Sequence, residues 1–274
     1  MKFTKMHGCG NDYIYVNCFT ENVYEPEELA RKISDRHFGI GSDGLILILP
    51  TENGDAFMQL YNADGSKGSM CGNGIRCVAK YVYDKGLIPA TRDYALIDTP
   101  SGVKRISLEV VNGKVEAACV DMGIAKLDGE LPENINVDGM SLKFIGVDVG
   151  NDHAVYFHDE NPELEGIMTW PESKFANEGV KFETHPRFPR RVNTEFIRVI
   201  ARDEIDMRVY ERGSGETLAC GTGATASAFA GVIAGKLDRE VLVHLRGGDL
   251  QIRVDDDNRC FMTGPAVEVF NGEI

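Results

Sequence analysis

The sequence lacks a run of eighteen apolar residues, the length a helix needs to cross a bilayer. Residues 1–15 mix Lys2, Lys5, His7 and Asp12 with apolar side chains, so no secretory signal is expected there. No Lys/Arg cluster interrupts a net charge of -14, which would repel a phosphate backbone or an anionic lipid surface. Neither nucleic acid nor membrane is therefore an expected partner, although a small zwitterion can still bind locally. Low-complexity tracts are absent, which argues against disorder. There is no C-x-x-C pair, and the nearest spacing, Cys71 to Cys77, has no matching Cys/His pair downstream, so no metal site is expected. A Walker-type phosphate loop is also missing, and the Gly-x-Gly sites do not complete a dinucleotide fingerprint. Chemistry without a cofactor is permitted.

The chain has 274 residues, enough for two domains of roughly 130 to 140 residues each. At 43% apolar and 26% charged, its composition is that of a globular protein. Seven cysteines, an odd number with no export signal, point to free thiols in the cytoplasm rather than a disulfide framework.

An internal repeat is the most informative feature. Met58 to Gly74 reads MQLYNADGSKGSMCGNG, and Met207 to Gly223 reads MRVYERGSGETLACGTG. At a constant offset of 149 residues they match at Met, Tyr, Cys, Gly and Gly without a gap. A second echo, at offset 140, pairs Gly10-Asn11-Asp12 with Gly150-Asn151-Asp152. Chance explains five matches in seventeen poorly when one of them is cysteine and the local pattern also repeats. Each copy shows an alternating strand (Phe57 to Tyr61, Ile205 to Tyr210), a polar turn, then Cys-Gly-x-Gly opening an apolar helical run.

After Cys71, Ile75, Val78, Ala79 and Val82 recur at helical spacing, with Arg76, Lys80 and Asp84 giving a partly polar face and Gly86 placed to stop the helix. After Cys220 the run from Ala224 to Ala234 is small or apolar on nearly every side, which marks an enclosed helix. Short alternating segments surround both, including Asp12 to Asn17, Val103 to Val110, Leu142 to Val147, Phe196 to Ala201 and Leu250 to Val254. The expected fold is mixed α/β: two pseudo-symmetric halves from a duplication, each a sheet wrapped about one central helix.

A cysteine at a helix start meets unpaired backbone N–H groups and the positive end of the macrodipole, so the thiol pKa is expected to fall. Neighbouring glycines let a carboxylate approach the same N–H groups. If the halves face each other, one thiolate removes a Cα proton while the opposing thiol delivers another, and the centre inverts. Facing helix starts would also stabilise charge developing on the carboxylate, as an oxyanion hole does. The other cysteines, Cys9, Cys18, Cys77, Cys119 and Cys260, read as packing residues, the usual fate of a free thiol.

Eight segments carry a family resemblance over nearly the whole chain: KMHGCGNDY (Lys5 to Tyr13), RHFGIGSDG (Arg36 to Gly44), YNADGS (Tyr61 to Ser66), MCGNGIRC (Met70 to Cys77), GNDHAV (Gly150 to Val155), RVNTEF (Arg191 to Phe196), YERGSGETLACGTG (Tyr210 to Gly223) and GPAVEVF (Gly264 to Phe270). In order and spacing the chain resembles diaminopimelate epimerase. The resemblance implies conversion of LL-2,6-diaminoheptanedioate to its meso form, in lysine and peptidoglycan biosynthesis, without pyridoxal phosphate or metal. It places the catalytic thiols at Cys71 and Cys220 and the reacting carboxylate on the backbone around Gly72, Asn73, Gly221 and Thr222. Asn11 and Glu211 would lie near the amino group, and Asn62, Asn151, Asn193 and Arg212 would grip the distal centre. His153 and Glu211 would tune the thiols. The family further implies a cleft between halves formed by residues 1–118 with 265–274 and by residues 119–264, closure that excludes water, and a homodimer with Phe270 at its interface.

Two residues depart from the family pattern. Gly44 stands where many relatives carry Gln, so water or backbone is expected to replace that contact, and Asp152 replaces a usual Pro. A proline or hydroxyproline racemase of the same superfamily is the nearest alternative, but proline offers no second amino-acid end for Arg212. A thiol-redox protein, the alternative of another class, has no use for the Asn/Arg set.

Overall fold

The computed structural model describes residues 1–68 and 71–274; Met70, which opens the MCGNGIRC segment, lies outside the described residues. Two compact units divide the chain, residues 1–121 with 263–274 and residues 122–262.

Along the first stretch come β1 (Lys2–Gly8), β2 (Asn11–Asn17), α1 (Pro26–Ser34), β3 (Gly44–Leu49), β4 (Ala56–Asn62), β5 (Lys67–Gly68), α2 (Gly72–Asp84), β6 (Tyr94–Asp98), β7 (Lys104–Val111) and β8 (Lys114–Ile124). The second contributes β9 (Lys126–Leu127), β10 (Glu133–Val137), β11 (Met140–Asp148), β12 (Asp152–Phe157), α3 (Glu172–Glu183), β13 (Asn193–Ala201), β14 (Glu204–Glu211), β15 (Gly215–Glu216), α4 (Gly221–Ile233), β16 (Glu240–Leu245), β17 (Gly248–Val254) and β18 (Arg259–Pro265). Last, β19 (Val267–Glu273) returns to the first unit and pairs antiparallel with β1.

Strand pairing repeats between the units. In the first, β1–β2 is antiparallel, β2–β3 parallel, β3–β4 antiparallel, β4–β6 parallel and β6–β7 antiparallel. In the second, β11–β12, β12–β13, β13–β14, β14–β16 and β16–β17 follow the same series of directions. Register repeats as well: Tyr13 faces Gly44 and Leu45 faces Tyr61, as His153 faces Asn193 and Thr194 faces Tyr210. The duplication expected from sequence is thus a duplication of fold.

A strand with a parallel neighbour and helices on both faces must be apolar throughout, and β3, GLILIL, is. Its Leu45 and Leu47 join Ala30 and Ile33 of α1 in one core layer. Ile46, on the other face, lies below Gly74 of α2. In the second unit the corresponding layer beside α3 is aromatic, with Phe144, Tyr156, Phe175, Phe182, Phe196 and Tyr210 buried together. Each such ring contributes roughly 1.5–3 kcal/mol by leaving water.

Both central helices are enclosed. For α4 this follows from its small apolar residues, and at Gly231 an added Cβ would lie 2.2 Å from Leu237. For α2 the sequence suggests a partly polar face, yet Arg76 and Lys80 are both buried. Burial of a cation demands partners. Arg76 donates to Asn73 Oδ1 at 3.0 Å and to the carbonyl of Pro265 at 3.3 Å, while Lys80 pairs with Asp84 at 2.7 Å.

Candidate active site

Each central helix begins at a cysteine. Cys71 and Cys220 are the N-cap residues, with extended backbone at φ -138°, ψ 116° and φ -122°, ψ 109°. In both, the Sγ accepts from the backbone N–H three residues on, Gly74 or Gly223, at 3.3 Å. The sulfur takes the place of a serine or aspartate oxygen in an ordinary N-cap and meets the positive helix end. Glycine at the third position keeps the strand below in place: a Cβ at 74 would sit 2.8 Å from Ile46 Cδ1 and one at 223 would sit 2.7 Å from Glu195 Oε1, so either side chain would have to shift.

Around Cys71 the first unit gathers Asn11, Asn73 and Tyr13. The Cys71 thiol donates to Asn11 Oδ1 at 3.2 Å, and Asn73 Nδ2 donates to the same oxygen at 3.3 Å. Asp43 fixes the orientation of that amide by accepting from Asn11 Nδ2 at 2.7 Å. Tyr13 is buried beside them. Asn62, at the exposed end of β4, donates to Ser66 Oγ at 2.9 Å.

The second unit builds a related set on Cys220. Its Sγ lies 3.4 Å from Thr222 Oγ1, and Asn151 Nδ2 donates to that hydroxyl at 3.4 Å. Asn151 and Thr222 therefore repeat the Asn11 and Asn73 pair. His153 bonds with Asn151 Oδ1 at 3.1 Å and with Glu195 Oε1 at 2.7 Å. Glu211 accepts from the Thr217 hydroxyl, and its charge lies close enough to raise Cys220. Asn193 accepts from the backbone N–H of Arg212 at 3.0 Å and donates to the carbonyl of Asp152 at 3.1 Å, so it shapes the loop that presents the exposed Arg212.

The expectation of lowered thiol pKa values is overturned. Burial pushes Cys71 up, against the N–H groups of Gly74 and Asn73, the Tyr13 hydroxyl and the Arg76 charge, which pull it down. Burial also pushes Cys220 well up, and the negative charges of Glu211 and Glu195 add to it. A helix start is worth about 0.3–1 kcal/mol at a surface, less than the cost of ionising a group cut off from water. Glu211 is itself raised by burial.

At Gly44, where a contact was expected to be missing, there is no space for one: a Cβ there would lie 2.1 Å from the carbonyl oxygen of Tyr61 and 3.1 Å from the Tyr13 ring. Asp152 pairs with Arg190 at 3.0 Å, a surface contact. Cys9 and Cys260 are buried packing residues as expected, whereas Cys18 and Cys119 are only half-buried. Asp43, Tyr13 and Glu195 went unnoticed in the sequence. The offset of 149 residues matches Glu195 to Ile46, an apolar residue, so the repeat carried no signal for it.

The fold is shared with solved amino-acid racemases. The chain matches a probable proline racemase from Agrobacterium radiobacter with a TM-score of 0.73 at 15% identity, covering 100% of this chain and 92% of that one. Against a hydroxyproline epimerase from Agrobacterium vitis the TM-score is 0.70 at 13% identity, covering 99% and 91%. These matches show a shared fold, which in this chain starts each central helix at a cysteine. A diaminopimelate epimerase profile matches residues 3–127 and 145–269. The diaminopimelate epimerase of Acetivibrio thermocellus is 48% identical, spanning 100% of this chain and 98% of its own, and that of Agathobacter rectalis is 47% identical, spanning 100% and 99%. The chain belongs to the diaminopimelate epimerase family.

Proposed function

We propose that this protein interconverts LL- and meso-2,6-diaminoheptanedioate, with Cys71 and Cys220 as alternating acid and base. The observation that carries the proposal is the repeated cap: each thiol holds the same 3.3 Å hydrogen bond at a helix start in units of the same strand order. One thiolate takes the Cα proton and the other thiol gives one to the opposite face, leaving the pair with exchanged protonation; the swapped pair is set for the reverse reaction, and proton exchange with water after product release restores it for another forward turnover. The N–H groups of Gly72 and Asn73, and of Gly221 and Thr222, would hold the reacting carboxylate and stabilise the charge that grows on it.

The raised thiol pKa values fit a substrate that brings its own cation. An ammonium beside Cys220 would offset Glu211 and Glu195 and favour the thiolate only when substrate is bound. Asn11 and Glu211 suit that ammonium as acceptors, while Asn62, Asn151, Asn193 and Arg212 suit the distal amino-acid end. Arg212 supplies the cation that a second carboxylate requires, and its exposure leaves it available. The product would feed lysine and peptidoglycan synthesis in the cytoplasm. Seven free thiols accord with a reducing compartment, and among the described residues no helix is long and apolar enough to cross a membrane. A homodimer through β19 would cover Phe270 and Val269, which are 44% and 54% exposed.

Solvent-deuterium incorporation into both isomers, followed by NMR with reduced, metal-free protein, tests the assignment. Exchange with interconversion, abolished in Cys71→Ala and in Cys220→Ala, is expected. Absence of exchange in the intact protein overturns the substrate and directs the same assay to proline.

A further inference from the structure

We propose that Glu183, the last residue of α3, is the positioning residue for Arg212: its carboxylate pins the backbone of the turn that carries the guanidinium. The turn joins β14 to β15 and exposes Arg212, Gly213 and Ser214. An arginine on a loose turn loses backbone as well as rotamer freedom when it clamps a carboxylate; on a pinned turn the backbone part is already lost. Here two consecutive N–H groups are taken by side-chain oxygens. Arg212 N–H donates to Asn193 Oδ1 at 3.0 Å, and Gly213 N–H donates to Glu183 Oε1 at 2.8 Å. A bond from Ser214 N–H to the carbonyl of Glu211 at 3.2 Å closes the turn, with Gly213 at φ +78°, a conformation that favours glycine.

A carboxylate is unfavourable where Glu183 stands. It is 3% exposed and ends a helix, so burial and the negative end of the helix dipole both oppose its charge. The Arg191 guanidinium, more than half exposed, pairs with the same oxygen at 3.3 Å. Close packing fixes α3 behind the turn: a Cβ at Gly179 would lie 2.2 Å from the ring of Tyr210, the residue before Glu211. The first unit holds its matching turn by other chemistry. At the 149-residue offset Gly213 corresponds to Asp64, between β4 and β5, and Arg31 Nη1 of α1 donates to the Asp64 carbonyl at 3.2 Å. In each unit a helix side chain grips the same position of the turn. The residue that matches Arg212 is Ala63, so only the second turn sets a cation there on the held backbone.

This inference rests on Arg212 binding the distal carboxylate, and the test separates the two. Steady-state kinetics with LL-2,6-diaminoheptanedioate are compared for the parent, Glu183→Ala, Glu183→Gln, Arg212→Ala and the Glu183→Ala/Arg212→Ala double variant, each beside a melting curve. Glu183→Ala raises KM about tenfold, the effect of one lost hydrogen bond to a charged group, while kcat changes less than about threefold because the distal end does not react. Glu183→Gln, which keeps an oxygen for the Gly213 N–H, recovers most of that KM. In the double variant KM equals that of Arg212→Ala, since Glu183 acts through Arg212. A parent-like KM in Glu183→Ala beside a raised KM in Arg212→Ala overturns this proposal alone, as does a further rise of the same size in the double variant. A parent-like KM in Arg212→Ala removes the distal grip itself, and this proposal with it. If Glu183→Ala is unfolded at the assay temperature, Glu183→Asp, which keeps the charge and draws the oxygens back by one methylene, takes its place with the same expected direction.

Discussion

Asp43 aims Asn11 at Cys71. Its Oδ2 accepts from Asn11 Nδ2 at 2.7 Å, which turns Asn11 Oδ1 toward the thiol that donates to it at 3.2 Å. A further bond from Arg36 to Asp43 Oδ1 at 2.9 Å steadies the carboxylate. The chain of contacts runs from an exposed guanidinium to the sulfur.

Asp43→Ala frees the Asn11 amide to flip and present its NH2 to Cys71. With one oriented acceptor lost, kcat for epimerisation should fall about tenfold, the equivalent of about 1.4 kcal/mol. Thermal unfolding should change little, because the pair with Arg36 is more than half exposed on the Arg36 side. Steady-state kinetics beside a melting curve checks both, and an unchanged kcat would remove Asp43 from the site.

Glu211→Gln separates thiol reactivity from catalysis. The Glu211 charge opposes ionisation of Cys220, so its removal favours the thiolate and lowers the Cys220 pKa. The sign follows directly: with a lower pKa, more thiolate is present at any given pH, and alkylation of Cys220 speeds up at pH 8. Catalysis should nonetheless fall, since the acceptor for the substrate ammonium is gone. Parallel alkylation and exchange assays should move in opposite directions.

Glu195→Ala leaves His153 without its 2.7 Å partner in a site where both side chains are fully buried. Breaking a buried pair from one side costs about 3–5 kcal/mol. Chemical denaturation should show a lower midpoint, and Glu195→Gln, which keeps an acceptor, should recover part of it. Equal midpoints for Glu195→Ala and the parent would mean the pair carries no net stability.

How much of this was legible beforehand differs by kind of feature. The strands at Phe57 to Tyr61 and Ile205 to Tyr210 and both helix starts were readable, because alternation, glycine and helical spacing are local signals. Burial of Arg76 was not, because a lone arginine at helical spacing reads as solvated until its acceptors are known. Its acceptors lie on its own helix at Asn73 and far along the chain at Pro265. The role of Gly44 escaped for the same reason: what fills its space is Tyr61 and Tyr13, residues of two other strands.

The sequence by itself determined the duplication, the cysteine at each helix start and the family, since repeats, periodicity and spacing are written along the chain. Only the tertiary structure decided the ionisation of the two thiols. A pKa depends on the water excluded and the charges placed around a group, so enclosure of α2 and α4 raised both where the local motif alone predicted a fall. It decided too that His153 meets Glu195, a contact between side chains of two parallel strands that linear order conceals.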